Sequence, residues 1–292
     1  MAAKRFMSDL KDVIEDQLER NLSPKKLKRY LEVVGPFLLV LTNAEDALRV
    51  LMRWSEQLQY MKLQMKWGTY VSALILLLSA LVQAVGSVGV ITRVQLKANC
   101  CLLLGFTVVQ PVLYGQLTDV DFVFRSLTQV GGLLLLLRHE DTLGRGAKRG
   151  NSQDAFAGMG SESHGGRNGA GSGARLQLLG RVLLMAIFFC QGARHLYVSG
   201  VTVLSLVGFL LLFALCTLVV AGFKARWSAV ILATALGITN LWMFPFWRDN
   251  GRMRDFHKYY FFNTLSIMGG LLLLVSYGPG GLSVDQGSKK GI

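Results

Sequence analysis

The sequence predicts an all-α polytopic membrane bundle of about eight spanning helices, arranged as two parallel four-helix repeats. Three observations lead there. Of 292 residues, 52% are hydrophobic and 17% are charged, against about 25% charged in an ordinary soluble domain. Uninterrupted apolar runs such as Val71 to Val82 and Val201 to Val220 suit helices that cross a bilayer, where about 20 apolar residues must satisfy their backbone hydrogen bonds internally. Finally, one order of apolar segments and short motifs occurs twice along the chain.

Residues 1–32 form the first element. Phe6, Leu10, Ile14, Leu18 and Leu22 recur every four residues among acids and bases, the pattern of an amphipathic helix lying on a membrane or on the bundle. Lys25, Lys26, Lys28 and Arg29 follow it. A basic group beside the first span argues for a cytosolic N-terminus. The charged start has no apolar h-region, so no cleavable signal peptide is expected and the first span is expected to target the chain.

Eight apolar segments follow, at about 33–54, 68–91, 98–117, 121–138, 176–196, 200–222, 226–246 and 258–277. The first is interrupted by charges and the third and fourth are short, so hydropathy alone finds five or six. The repeat supports eight. Thr128-Gln-Val-Gly131-Gly132-Leu-Leu-Leu-Leu resembles Ser266-Ile-Met-Gly269-Gly270-Leu-Leu-Leu-Leu, Asp121-Phe122 and Asp255-Phe256 precede the two motifs, and Gly35 to Arg49 can be laid on Gly180 to Arg194 without a gap. Four spans per half give the halves the same orientation, as in parallel repeats. The domains are then an N-terminal helix (1–32), a first repeat (33–138), a Gly/Ser/Arg-rich linker (139–175), a second repeat (176–278) and a tail (279–292). The linker composition predicts a flexible segment.

The formal charge of +13 is read as crowding of lysine and arginine into cytosolic loops rather than as a nucleic-acid footprint. The Arg93/Lys97 turn, the linker, the Lys224/Arg226 turn and the tail are all basic and all fall on one side. One exception stands out: the 248–258 loop, expected in the lumen, is basic as well. The sequon Asn21-Leu22-Ser23 falls on the cytosolic side and is expected to carry no glycan. Lys289 and Lys290 stand fourth and third from the C-terminus. There they form a dilysine retrieval signal read by the COPI coat, an address rather than an anchor.

The C-terminal third carries a resemblance. Asp255-Phe-His-Lys-Tyr259-Tyr-Phe261-Phe262-Asn-Thr-Leu-Ser-Ile-Met-Gly269-Gly270 is followed by Gly278-Pro279-Gly280-Gly281-Leu-Ser-Val-Asp285, and Glu45-Asp46-Ala47-Leu48-Arg49, Trp54-Ser55-Glu56-Gln57, Leu179 to Leu184, Gly222-Phe223-Lys224 and Phe246-Trp247 match in the same order. From about residue 30 to the end, the chain resembles the surfeit locus protein 4 family of endoplasmic-reticulum cargo receptors, itself similar to DoxX-like four-helix proteins. Pro36 stands where the family usually has an arginine. The resemblance implies a receptor cycling between endoplasmic reticulum and Golgi. It implies soluble lumenal cargo recognised by an N-terminal apolar-Pro-apolar tripeptide, loading into COPII vesicles and return by COPI.

Charged residues inside spans are costly and mark candidate sites. The first span holds Asn43, Glu45, Asp46 and Arg49. Glu45 and Arg49, four apart, can pair as a structural bridge. Alternatively, Glu45 or Asp46 receives the α-ammonium of a cargo N-terminus, charged below about pH 8. Aromatic candidates for the apolar part of the ligand are Trp242, Phe244, Phe246 and Trp247, or Tyr259 to Phe262; the competing reading is an interfacial belt. Arg194 and His195, at the equivalent end of the fifth span, are expected to complete a polar ring. His195 and His257 are candidates for a pH-dependent release. Gln83, Gln110 and Asn240 are read as interhelical glue, and Gly86, Gly89, Gly131, Gly132, Gly269 and Gly270 as close-packing sites.

No nucleophile elbow, phosphate loop or metal spacing appears, so no enzyme, cofactor or metal is expected; Cys100, Cys101, Cys190 and Cys216 are read as small core residues. The alternative from another class is a small-molecule or lipid transporter. That reading predicts a polar path continuous across the membrane, whereas a receptor predicts a cavity closed at its cytosolic end.

Overall fold

A computed structural model describes residues 24–155, 166–199, 202–223 and 225–278. The N-terminal amphipathic helix, the Asn21 sequon, Lys224 and the Lys289–Lys290 signal lie outside the described residues, as does the side chain of His195. Among the described residues the chain is helical and contains no strand, in agreement with the predicted all-α polytopic class.

The first expected span is a broken helix. Helix α1 (Pro24–Leu39) carries Pro36, which has no N–H to donate and disturbs the helix around it. The helix breaks at Val40 and resumes as α2 (Leu41–Met52), while the Val40 N–H still reaches the Pro36 carbonyl at 3.2 Å. A second break at Arg53 turns the chain into α3 (Trp54–Met65), a helix the hydropathy reading did not separate from its loop. Then come α4 (Thr69–Ile91), α5 (Leu96–Leu113), α6 (Val120–Ala155), α7 (Gly166–Ser199), α8 (Val203–Ala221), α9 (Ala225–Met243) and α10 (Gly251–Tyr277). Helical backbone thus enters the Gly/Ser/Arg-rich stretch from both sides.

Among the described residues, five stretches are long and apolar enough to cross a bilayer: Thr69–Ile91, Leu96–Leu113, Val120–Thr142, Gly173–Arg194 and Met253–Tyr277. Leu206–Ala221 is apolar but shorter. Helix α4 is turned inside out relative to a helix of a soluble protein. Ser72, Ser79, Gln83 and Ser87 are buried, while Leu74, Leu78, Leu81, Val85 and Val88 are exposed. Outward leucines and inward small or polar residues are what lipid on one side and helix packing on the other require.

Within the first half, α2 packs on α4, α4 on α5 and α5 on α6; within the second, α7 packs on α8, α8 on α9 and α9 on α10. The halves exchange partners: α6 lies along α7, and α10 lies along α1. Glycines set both seams. A Cβ on Gly131 would lie 2.7 Å from the Gly180 carbonyl oxygen, and one on Gly269 would lie 2.7 Å from the Gly35 carbonyl oxygen. Those four glycines correspond to each other in the sequence repeat. The remaining expected packing glycines behave alike: a Cβ on Gly86 would meet the Leu103 side chain at 2.6 Å, and Gly89 faces Asn99. Of the three amides expected to join helices, Asn240 donates to the Phe261 carbonyl on α10 at 3.2 Å and Gln110 bonds to α2 (described below). Gln83, wholly buried, has no hydrogen-bond partner for either amide atom.

Candidate functional site

The C-terminal part of α2, the start of α6 and the start of α10 meet at one end of the bundle. Helix α2 buries Thr42, Asn43, Glu45 and Asp46. Spacings of three and four place Asp46, Glu45 and Arg49 on one face. The Arg49 guanidinium pairs with the Asp46 carboxylate, and its Nε lies 4.0 Å from Glu45 Oε2. The second oxygen of Asp46 accepts from Gln110 Nε2 of α5 at 3.3 Å. Glu45 Oε1 lies 3.5 Å from Lys258 Nζ of α10, while Glu45 Oε2 is buried without a hydrogen bond. A buried charge cluster of this kind is stable only because each acid has a cation beside it.

Helix α10 closes the cluster from the other half of the protein. Arg49 sits over the Tyr259 ring, 5.2 Å from its centroid, close enough for a cation–π contact. Arg53 pairs with Asp255 at 2.5 Å, and Thr42 Oγ1 donates to the Phe262 carbonyl at 3.1 Å. Nearby on α6, Arg125 is only 5% exposed and lies 4.3 Å from the Tyr260 ring centroid. Its Nε and Nη1 have no hydrogen-bond partner.

Two cavities open at this end. The first, about 300 Å³, is lined by Asp46, Arg49, Gln110, Tyr114, Tyr259 and Tyr260, with Gln57 and Tyr60 from α3 and Asp119 and Phe122 at the start of α6. The second, about 280 Å³, is lined by Glu45, Arg49, Met52, Arg53, Phe246, Arg254, Asp255 and Lys258. Arg49 belongs to both walls. Towards the opposite end the core of the first half is filled by Leu39, Val40, Val90, Leu96, Cys100, Leu103, Leu133, Leu136 and Leu273.

Of the residues singled out in the sequence, Glu45, Asp46, Arg49, Tyr259, Tyr260 and Phe246 come together here. Arg194 does not join them; it pairs with Asp121 of α6. Laying Gly35–Arg49 on Gly180–Arg194 puts Cys190 and Gln191 where Glu45 and Asp46 stand, so the arginine is duplicated and the acid pair is not. Trp242 is 83% exposed and faces away. Trp247 packs on Phe246 and Phe261, with ring centroids 5.3 and 6.0 Å away; it adjoins the second cavity through Phe246 without lining it. His257 Nδ1 lies 2.6 Å from Asp249, tying the loop before α10 to that helix. The sequence reading missed Tyr114, Gln57, Tyr60, Phe122, Arg125 and Lys258. Trp54, Gln57, Met61 and Gln64 recur at helical spacing, a weak signal for α3 beside the apolar spans that flank it.

Fold and site together define a multi-pass membrane protein with a charged, aromatic-walled cavity at one end of its helical bundle. The sequence model of the SURF4 family matches residues 6–291. A surfeit locus protein 4 homolog of Schizosaccharomyces pombe is 33% identical over 289 residues, 98% of this chain and 90% of the relative. A homolog of the same name from Drosophila melanogaster is 34% identical over 290 residues, 98% of this chain and 97% of the relative. The ER-derived vesicles protein ERV29 of Saccharomyces cerevisiae is 27% identical over 269 residues, 90% of this chain and 79% of the relative. No solved structure matches the chain. The chain belongs to the SURF4 family.

Proposed function

We propose that this protein is a transmembrane cargo receptor of the endoplasmic reticulum. It binds soluble lumenal proteins by their exposed N-terminus, carries them towards the Golgi in COPII vesicles and returns by its dilysine signal through COPI. Membership of the family supports this reading, as does the name of the yeast relative, which puts that protein in ER-derived vesicles. Both termini are cytosolic in this account, so the cavities face the lumen.

The observation that carries the reading is a buried acid pair beside an aromatic cavity closed at its far end. A new N-terminus offers an ammonium followed by apolar side chains. The ammonium takes the place of Arg49 on Asp46, or engages Glu45 Oε2, which accepts no hydrogen bond, and the apolar side chains lie against Tyr114, Tyr259 and Tyr260. About 300 Å³ is at the small end of ligand pockets, which favours a chain terminus over an internal loop. A transporter requires a polar path across the membrane; the apolar cluster below the site supports the receptor instead.

The test is binding of a peptide with an N-terminal apolar-Pro-apolar sequence to the full chain in nanodiscs, as wild type, Glu45→Gln and Asp46→Asn. A charge-assisted hydrogen bond contributes roughly 1.5–3 kcal/mol, so at least one variant is expected to bind about tenfold or more weakly. Unchanged affinity in both overturns the reading.

A further inference from the structure

The basic 248–258 loop departs from the charge pattern that orients the chain, since cationic loops are expected on the cytosolic side. The fold gives it a place. Arg254 and Lys258 line the second cavity together with Arg49 and Arg53, against the acids Glu45 and Asp255, while Asp46 pairs with Arg49 and Glu56 with Arg53 from just outside it. Both lining carboxylates are engaged: Glu45 with Lys258 and Arg49, and Asp255 with Arg53. Asp249, the loop's other acid, is held by His257. Arg254 has no ion pair among the described residues. Arg254 is therefore the cation on this cavity's wall that no described acid neutralises.

We propose that this second cavity takes the carboxylate side chain of an aspartate or glutamate in the bound cargo, a few residues after its N-terminus. This rests on the reading that the first cavity holds the N-terminus. Arg49 is common to both cavities, so a chain leaving the first passes into the second around one side chain. An extended peptide advances about 3.3 Å per residue, which brings a residue shortly after the apolar tripeptide to Arg254. A guanidinium meets a carboxylate with two parallel hydrogen bonds, and a partly enclosed site is less screened by salt than an open surface. The cationic loop is then a recognition element retained against the orientation rule.

The experiment uses the full chain in nanodiscs of zwitterionic lipid and two peptides sharing an apolar-Pro-apolar start, one with glutamates and one with glutamines at about the fourth to eighth positions. The glutamate peptide is expected to bind about tenfold more tightly at low salt, and Arg254→Gln is expected to cut that preference to about twofold or less, with Arg254→Lys restoring part of it. Arg254 is exposed and unpaired, so its replacement leaves the helix contacts in place. Equal binding of the two peptides to the wild type overturns the proposal, as does a preference unchanged in Arg254→Gln. If Arg254→Gln instead weakens binding of the protein to phosphatidylserine vesicles while the peptide preference stays, the cavity serves a lipid headgroup and the proposal falls. Acetylated peptides separate the two readings. A glutamate preference with no effect of acetylation keeps the carboxylate site and removes the N-terminus reading; an acetylation effect with no glutamate preference does the reverse.

Discussion

Gly132 of α6 and Gly270 of α10 face each other where the two halves meet: a Cβ on either would lie 3.5–3.6 Å from the Cα of the other. Leu39 packs over Gly132 and Leu184 over Gly270, residues that the sequence repeat also equates. Around this point the last helix of each half lies along the first helix of the other, so neither half is closed by its own helices. The exchange has a consequence for function. It carries Tyr259 and Lys258, from the end of the chain, to the acids on α2. The site is composite by construction.

Gly131 and Gly269 fix how closely those helices approach, because the atoms facing them are backbone. Gly131→Ala or Gly269→Ala forces two helices apart and is expected to destabilise the protein by about 1–3 kcal/mol, the usual scale for overpacking. Gly132→Ala meets the far end of a leucine side chain and is expected to cost less. Thermal melting in detergent checks the ranking; a Gly132→Ala that melts lowest contradicts the seam.

Arg49 does two things that a lysine cannot do together: it pairs with Asp46 and lays a flat guanidinium over Tyr259. Arg49→Lys keeps the charge and loses the planar contact, worth roughly 0.5–2 kcal/mol. A melt indistinguishable from wild type shows that the ring contact contributes nothing.

The Arg53–Asp255 pair clips the turn between α2 and α3 to α10. It is partly exposed, so its contribution to global stability is small, under about 1 kcal/mol. Its expected effect is local. Arg53→Glu alone should speed hydrogen exchange in α3, and Arg53→Glu with Asp255→Arg should restore protection. Failure of the double variant to recover protection rules out the clip.

Much of the fold was legible because a bilayer imposes long apolar runs and because the repeat announces its own register. Pro36 is displayed by the sequence, but it acts on the preceding turn, at the Glu32 carbonyl, so the break at Val40 was not legible from it. Helix α3 escaped notice because its period is weak beside the spans flanking it. The acids and Arg49 were legible as charges out of place. Their partners were not, since Lys258 lies more than 200 positions from Glu45 and nothing local marks which helix will lie alongside. The same holds for Arg194, whose acid comes from α6. Trp242 looked like a wall of the site because it is aromatic and near the right end of its helix, but helix rotation turns it outward.

If the tail is the return signal, Lys289→Ser with Lys290→Ser is expected to move the protein from the endoplasmic reticulum to the Golgi or beyond, with peptide affinity unchanged. Microscopy of the tagged double variant checks this; an unaltered distribution removes the retrieval role.

The central claim is that an acid at the head of the first cavity receives a free N-terminal ammonium. Its most direct measure is the coupling between acetylation of the peptide and Asp46→Asn, read as four affinities in a double-mutant cycle. Acetylation is expected to weaken binding to the wild type about tenfold or more, and to change binding by twofold or less in Asp46→Asn or, where Glu45 is the receiving acid, in Glu45→Gln. An acetylated peptide that binds the wild type as tightly as the free one contradicts it.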